Sequence, residues 1–194
     1  AVLTRAIIAE FPSYYSWYSE RDFTYNEITQ QNRNSLLWRD SSVDGLKTGY
    51  TDAAGYCLVT SAQRSDMRLI SVVMGADSPE ARATDSQALL NYGFRFYETH
   101  KLYSKGEEVT TARVWKGDPG SVAMGITEDL YLTIPRGSYD SLSSLIDLEP
   151  ELIAPLQINS AVGHVRISLD GEQVSEVPLV TLHDVPDAGL WVQL

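Results

Sequence analysis

Cysteine is almost absent. Cys57 is the single one in 194 residues, so no disulfide can form within the chain and no cysteine-based metal cluster can be built. Histidine is nearly as scarce, and His100, His164 and His183 lack the spacing of metal ligands. No metal site built from cysteine or histidine is therefore expected. Positive charge is also short: 15 basic against 26 acidic side chains gives a net charge of −11. That excludes tracking along a nucleic-acid backbone, which needs clustered Lys and Arg. It leaves room for an anionic small substrate, which needs one or two well-placed cations. No apolar run reaches the roughly 18 residues of a membrane span, and no signal peptide opens the chain. What is present is core material, with 43% hydrophobic residues, 11 Tyr and 4 Trp, a composition that argues for a packed protein.

The chain opens on "AVLTRAIIAE", in which Val2, Leu3, Ala6 and Ile7 form an apolar stripe at helical spacing. No N-cap residue precedes it, so it reads as the middle of a helix, with a natural N-terminal part expected upstream. Pro12 suits the first turn of a short second helix over "SYYSWYS". "DFTYNEITQ" alternates like one or two short strands, and "QQNRNSLLW" reads as a connection or short helical turn. "VDGLKTGYT", "GYCLVTSAQ" and "MRLISVVMGAD" are three successive strand candidates, the last two joined by a hairpin signal at "RSD". In "SPEARATDSQALLNYGFRFYE", Ser78 is an N-cap candidate, Pro79 fits the first helical position, and Glu80 suits the first turn. Ala83, Leu89, Leu90 and Phe94 are expected on its buried side.

The pattern changes near Thr99 to short β segments, with a hairpin signal at Asp170-Gly171. This suggests a small sandwich or barrel. Residues 1–98 carry a net charge of −3 and residues 99–194 a net charge of −8. Two domains are expected, divided near residues 97–101: an α/β (α+β) portion with an antiparallel sheet, then a small all-β domain.

The chemistry centres on "VDGLKTGYT". Lys-Thr-Gly is one of the motifs of penicillin-binding proteins and class A β-lactamases, beside Ser-x-x-Lys and Ser-Asp-Asn. A Lys ammonium supplies positive potential next to a nucleophile, a Thr hydroxyl can bond a substrate carboxylate, and a Gly lets a ligand approach the strand closely. Taken in order, "ITQQNRN", "LLW", "VDGLKTGYT" and "SVVMGADS" resemble the low-molecular-mass penicillin-binding proteins of the D-alanyl-D-alanine carboxypeptidase type. "VGHVRISLDGEQVSEVPLVTL" is similar to that family's second domain. The resemblance spans essentially the whole chain and implies the C-terminal part of a penicillin-recognising serine-peptidase domain followed by a β-rich domain.

It also implies an activity: removal of the terminal D-alanine from peptidoglycan stem peptides ending in D-Ala-D-Ala by an acyl-serine mechanism, with β-lactams as covalent inhibitors. Family members are periplasmic and often held at the inner membrane by a C-terminal amphipathic helix, and since this chain ends at "DAGLWVQL" that anchor is expected to be absent or barely begun in it. The resemblance assigns Lys47 to the proton and electrostatic network of acylation, Thr48 to the substrate carboxylate, Gly49 to the substrate-binding strand, and the Tyr50 backbone N–H to the oxyanion hole. The family often has His at the place of Tyr50. Arg82 in "DSPEAR", and after it Arg33 in "QQNRN", match carboxylate-binding arginines. The bland alternatives are a solvated strand lysine, an ordinary β-propensity threonine and surface salt bridging.

The nucleophile is missing. Asp44, Glu98, Leu102 and Arg113 stand three residues before the four lysines, so no Ser-x-x-Lys occurs, and no Ser-x-Asn occurs either. The chain alone is expected to be catalytically incomplete, its missing parts lying in an absent N-terminal portion. A non-catalytic binding or scaffold module at the cell envelope, and a related β-lactamase or endopeptidase, are the alternatives. Cys57 is expected as a buried core thiol. Tyr14, Tyr15, Trp17 and Tyr18 are expected to serve packing rather than to form a sugar platform.

Overall fold

The structure is a computed structural model that describes residues 1–189. The chain folds as two compact units, Ala1–Glu98 and Thr99–Leu194.

The first unit is mixed α/β. Helix α1 (Val2–Glu10) is followed by α2 (Pro12–Tyr15), which has Pro12 at its N-terminus and runs on into a 3₁₀ turn at Ser16–Ser19. Strands β1 (Asp22–Tyr25) and β2 (Ile28–Gln31) form an antiparallel hairpin. Its tip, Asn26 and Glu27, takes left-handed φ values of 48° and 64°, as tight two-residue hairpin turns require. The short helix α3 (Leu36–Arg39) leads to a three-stranded antiparallel sheet in the order β3 (Val43–Thr51), β4 (Gly55–Arg64), β5 (Met67–Ala76). Helix α4 (Pro79–Phe96) follows, capped as its sequence predicts, with the Ala81 amide donating to Ser78 Oγ at 3.0 Å.

Leu36, Leu37, Val43, Leu58, Ala62, Ala83 and Leu90 form the core of this unit, with Leu69 and Phe94 packed against it. Two expectations need correction. Leu89 is exposed, because the buried face of α4 runs through Arg82, Ala83, Ser86 and Leu90. The α1 stripe is not a buried face: Val2 and Leu3 are exposed, and Thr4 is the buried residue of that helix.

The second unit is β-rich. Its strands are β6 (Tyr97–Tyr103), β7 (Thr110–Trp115), β8 (Ser121–Gly125), β9 (Leu130–Pro135), β10 (Leu142–Leu148), β11 (Leu152–Ile153), β12 (Ala161–Leu169) and β13 (Glu172–Thr181). Six of them form one sheet in the order β10-β12-β13-β8-β7-β11, while β6 and β9 pair separately. The β12–β13 hairpin turns at Asp170 and Gly171, whose φ values of 51° and 86° account for the Asp-Gly signal. Val122, Met124, Val162, Val165, Ile167, Leu179 and Val185 lead its core.

Candidate active site

The Lys-Thr-Gly motif lies in β3, and the way that strand enters its ladder decides where the motif points. Val43 pairs with Ala62, but Gly45 pairs with Ser61, so Asp44 is an extra residue forming a β-bulge. Beyond it the register is regular: Leu46 opposite Thr60, Lys47 opposite Val59, Thr48 opposite Leu58, Gly49 opposite Cys57 and Tyr50 opposite Tyr56. Cross-strand partners share a face. Val43, Leu46 and Thr48 therefore share the face of Leu58, Thr60 and Ala62, all of which are buried. Gly45, Lys47 and Gly49 share the opposite face.

The bulge is tied down on every side. The Asp44 carboxylate accepts from the Tyr15 hydroxyl at 2.7 Å and pairs with the Arg68 guanidinium at 2.7 Å. Arg68 also donates to Ser61 Oγ and Gln63 Oε1, both at 2.6 Å. Burial first, and then the bond to Asp44, push the Tyr15 phenol above its ordinary range and keep it a donor. The buried Asn34 amide donates to the Gly45 carbonyl at 3.0 Å, while its own oxygen accepts from the Leu36 amide. Gly45 has no room for a side chain, since a Cβ there would lie 2.8 Å from Tyr15 Oη.

Lys47 is exposed, and its ammonium donates to the Thr48 carbonyl. Thr48 is half-buried, and Gly49 and Tyr50 are exposed. The Tyr50 ring stacks on Tyr56 with centroids 4.3 Å apart, and its hydroxyl donates to Asp52 at 2.8 Å. That bond raises the Tyr50 pKa.

Arg82 is the unusual residue. It projects from the first turns of α4 and is only 6% exposed. Its guanidinium donates to the carbonyls of Gly49 at 3.2 Å, Cys57 at 3.4 Å and Arg33 at 3.5 Å, and lies 5.5 Å from the Tyr56 ring centroid. Among the described residues it has no carboxylate partner. A buried charge is normally paired, so a guanidinium held by carbonyl dipoles beside Gly49 is suited to take an anion. Arg33 contributes its carbonyl to this arrangement. Its side chain is exposed and makes no hydrogen bond or ion pair among the described residues. The structure thus brings Arg82 to the Lys-Thr-Gly strand and ties the Arg33 backbone to it.

Other expectations are revised. Cys57 is half-buried rather than a core thiol, with Sγ 3.6 Å from the Ala54 carbonyl. It stands opposite Gly49, on the face away from Leu58. Of the aromatic cluster, Tyr15 packs, but Tyr14 and Trp17 are exposed and meet edge to face at 5.1 Å. Trp17, with Phe23, Gln30 and Asn32, lines an open groove of about 650 Å³ that includes none of the expected site residues. Among the described residues no group of His, Cys, Asp and Glu could hold a metal ion.

Sequence reasoning missed Tyr15, Asn34, Asp44, Tyr56 and Arg68. Asn34 carried a signal, since an Asn just ahead of a short helix commonly bonds the helix's first amides. The others act across long chain separations that periodicity does not register.

Asp40 braces the α4–β4 side of this unit. Its carboxylate accepts from the Ser42 amide at 2.9 Å, Arg64 at 2.8 Å and Gln87 at 2.9 Å, with a side chain 12% exposed. Desolvation opposes ionisation, but hydrogen bonds from Ser42 and Gln87, then Arg64, outweigh it and hold the carboxyl well below its usual range. A depressed folded pKa stabilises the fold above the unfolded value of about 4 and loses that contribution as pH falls toward the folded value. Asp40→Asn is therefore expected to cost about 1.5–3 kcal/mol at pH 7, the worth of hydrogen bonds to a charged group. The gap between the two proteins should narrow steadily as pH drops below about 4. Urea melts at pH 7 and at several pH values below about 4 check it, and a gap independent of pH would refute the assignment.

Comparison with known proteins places the two units in one family. A family model described as D-alanyl-D-alanine carboxypeptidase matches residues 1–78, and one described as penicillin-binding protein 5, C-terminal domain, matches residues 97–187. The chain is 45% identical over 193 residues to the D-alanyl-D-alanine carboxypeptidase DacA of Escherichia coli K12, covering 98% of this chain and 48% of that protein. The DacF carboxypeptidase of Bacillus subtilis is 32% identical, over 94% of this chain and 47% of that protein. Among solved structures, penicillin binding protein 5 from Haemophilus influenzae superposes with a TM-score of 0.88 at 42% identity, over 96% of this chain and 55% of that one. The chain spans about half the length of the curated relatives it matches. The α/β unit and the β-rich unit thus match adjoining parts of one group of proteins, and the chain belongs to the D-alanyl-D-alanine carboxypeptidase family of low-molecular-mass penicillin-binding proteins, of which it is a stretch from the carboxypeptidase domain joined to a penicillin-binding protein 5 C-terminal domain.

Proposed function

We propose that this stretch forms the carboxylate-receiving wall of a serine-type D-Ala-D-Ala carboxypeptidase. The substrate is a peptidoglycan stem peptide ending in D-Ala-D-Ala, and β-lactams acylate the same site. The observation that carries this reading is the buried guanidinium of Arg82, without a carboxylate partner among the described residues, held against the carbonyl of Gly49 in Lys-Thr-Gly. A substrate C-terminus supplies the missing anion.

In this reading Arg82, with Thr48 and secondarily Arg33, binds the terminal carboxylate. Gly49 admits the peptide against the strand. Lys47 contributes positive potential at the reacting centre. The Tyr50 amide is one oxyanion donor, a role independent of its side chain. A serine from sequence outside these 194 residues attacks the carbonyl between the two alanines, D-alanine leaves, and water hydrolyses the acyl-enzyme. No metal and no cofactor takes part. The protein works in the periplasm, associated with the inner membrane through a segment outside this chain; among the described residues no helix is long and apolar enough to cross a membrane.

A scaffold module is the second reading, favoured by the lack of Ser-x-x-Lys in the chain. A fluorescent penicillin separates the two. A longer protein carrying this stretch with its upstream sequence should take a covalent label and release D-alanine from a pentapeptide, while the 194-residue chain should take none. A longer protein that does neither supports the scaffold.

A further inference from the structure

We infer that Tyr15, Asp44 and Arg68 are positioning residues: together they hold the β3 bulge, and the bulge decides which face of the sheet Lys47 and Thr48 occupy. The functional meaning of that placement rests on the carboxypeptidase reading, but the placement can be tested without it.

Register makes the bulge decisive. With Val43 opposite Ala62, an unbulged strand would set Asp44 opposite Ser61, and each later residue would shift by one. Lys47 would then face Leu58, in the core beneath α4, and Thr48 would face Cys57. A one-residue slip exchanges the two faces of a strand. The bulge prevents this by fitting Asp44 and Gly45 into the length of one β4 residue.

A bulge leaves one residue outside the ladder, and that residue must be held by something else. Here the Asp44 carboxylate is held from two directions, by the Tyr15 hydroxyl and by an Arg68 fixed on Ser61 and Gln63. The same Tyr15 ring packs where any Gly45 side chain would stand. Tyr15 thus recognises both halves of the bulge, its hydroxyl the first residue and its ring edge the second. None of the three side chains is among the residues assigned to substrate. They act on Lys47 through two and three residues of backbone.

Cys57 provides a register gauge. A Cβ placed on Gly49 lies 3.8 Å from the Cys57 Cβ, within the roughly 3.5–4.5 Å that a disulfide spans. Cys57 is the only natural cysteine. In the 194-residue chain, under oxidised glutathione, Gly49→Cys should readily form a disulfide to Cys57. Thr48→Cys should not cross-link, because position 48 lies on the other face. Adding Arg68→Ala or Tyr15→Phe should slow closure from position 49 about tenfold, the scale of one hydrogen bond to a charged group, and should raise cross-linking from position 48. Arg68→Lys should restore part of the native preference.

Unchanged cross-linking in Tyr15→Phe and Arg68→Ala chains that keep their circular dichroism overturns the proposal. If Arg68→Ala fails to fold, Tyr15→Phe decides, since it deletes a single hydroxyl. The acylation reading fails separately: it falls if the unaltered longer protein takes no penicillin label, whatever the cross-links show.

Discussion

Arg82→Ala, in a longer protein that carries the nucleophile, is expected to lower kcat/KM for a peptide ending in D-Ala-D-Ala by roughly 30-fold to several thousand-fold. That range follows from about 2–5 kcal/mol for truncating one partner of a buried charged pair, at about 1.4 kcal/mol per tenfold. The residue is 6% exposed and sits among three carbonyls, so the interaction is made away from competing water. Penicillin acylation should fall less than peptide turnover, because the strained β-lactam depends less on that contact for its reactivity. Arg82→Lys should recover only a small part, since an ammonium cannot replace a planar fork that meets several acceptors at once. Steady-state release of D-alanine, set beside the rate of labelling by a fluorescent penicillin, checks the difference. Equal loss in both assays, or no loss, removes Arg82 from the carboxylate site. A urea melt of the same variant shows how much of the loss comes from carbonyls left unpaired.

Lys47→Ala should have the second large effect, a fall of about 10²–10⁴ in the acylation rate, the range over which a positioned proton-transfer group usually contributes. Its folding stability should scarcely change. Lys47 is exposed, and its ammonium bonds the neighbouring Thr48 carbonyl, so few interactions of the fold are lost. Stopped-flow labelling of the longer protein, with its melting temperature measured in parallel, tests the pair of statements. A change in acylation of less than about threefold would leave Lys47 a solvated strand lysine, well short of what a proton-transfer group supplies. A large drop in melting temperature would mean that the effect on rate was structural.

The two residues differ in how legible they are. Lys47 belongs to a contiguous motif on a strand with obvious β character, and the capped start of α4 at Ser78 and Pro79 places Arg82 on a helix from sequence alone. The hairpin turn at Asp170-Gly171 is equally plain, because its residues tolerate the left-handed backbone that they adopt. What escapes is everything that depends on pairing over distance. The bulge at Asp44 is invisible to an alternation count, which assumes an unbroken period of two. Its clamp joins Tyr15 to Arg68, 53 positions apart in a sequence that offers no local trace of the link. Leu89 looks buried because it falls on a plausible helical stripe, yet α4 packs through the stripe of Arg82, Ser86 and Leu90. Two polar residues on a buried face are what a hydrophobicity pattern reads as the wrong side. In the second unit, the parallel contact of β11 with β7 involves two residues of β11, too short a run for any period to register.

The burial of Arg82 also governs how the site behaves as ionic strength changes. At about 0.15 M salt, charges in open solvent are screened over roughly 8 Å, whereas buried ones are screened far less. Arg33 presents its guanidinium to the solvent and Arg82 does not. In the proposed reading, the contribution of Arg33 to carboxylate binding therefore fades as salt rises, while that of Arg82 changes little.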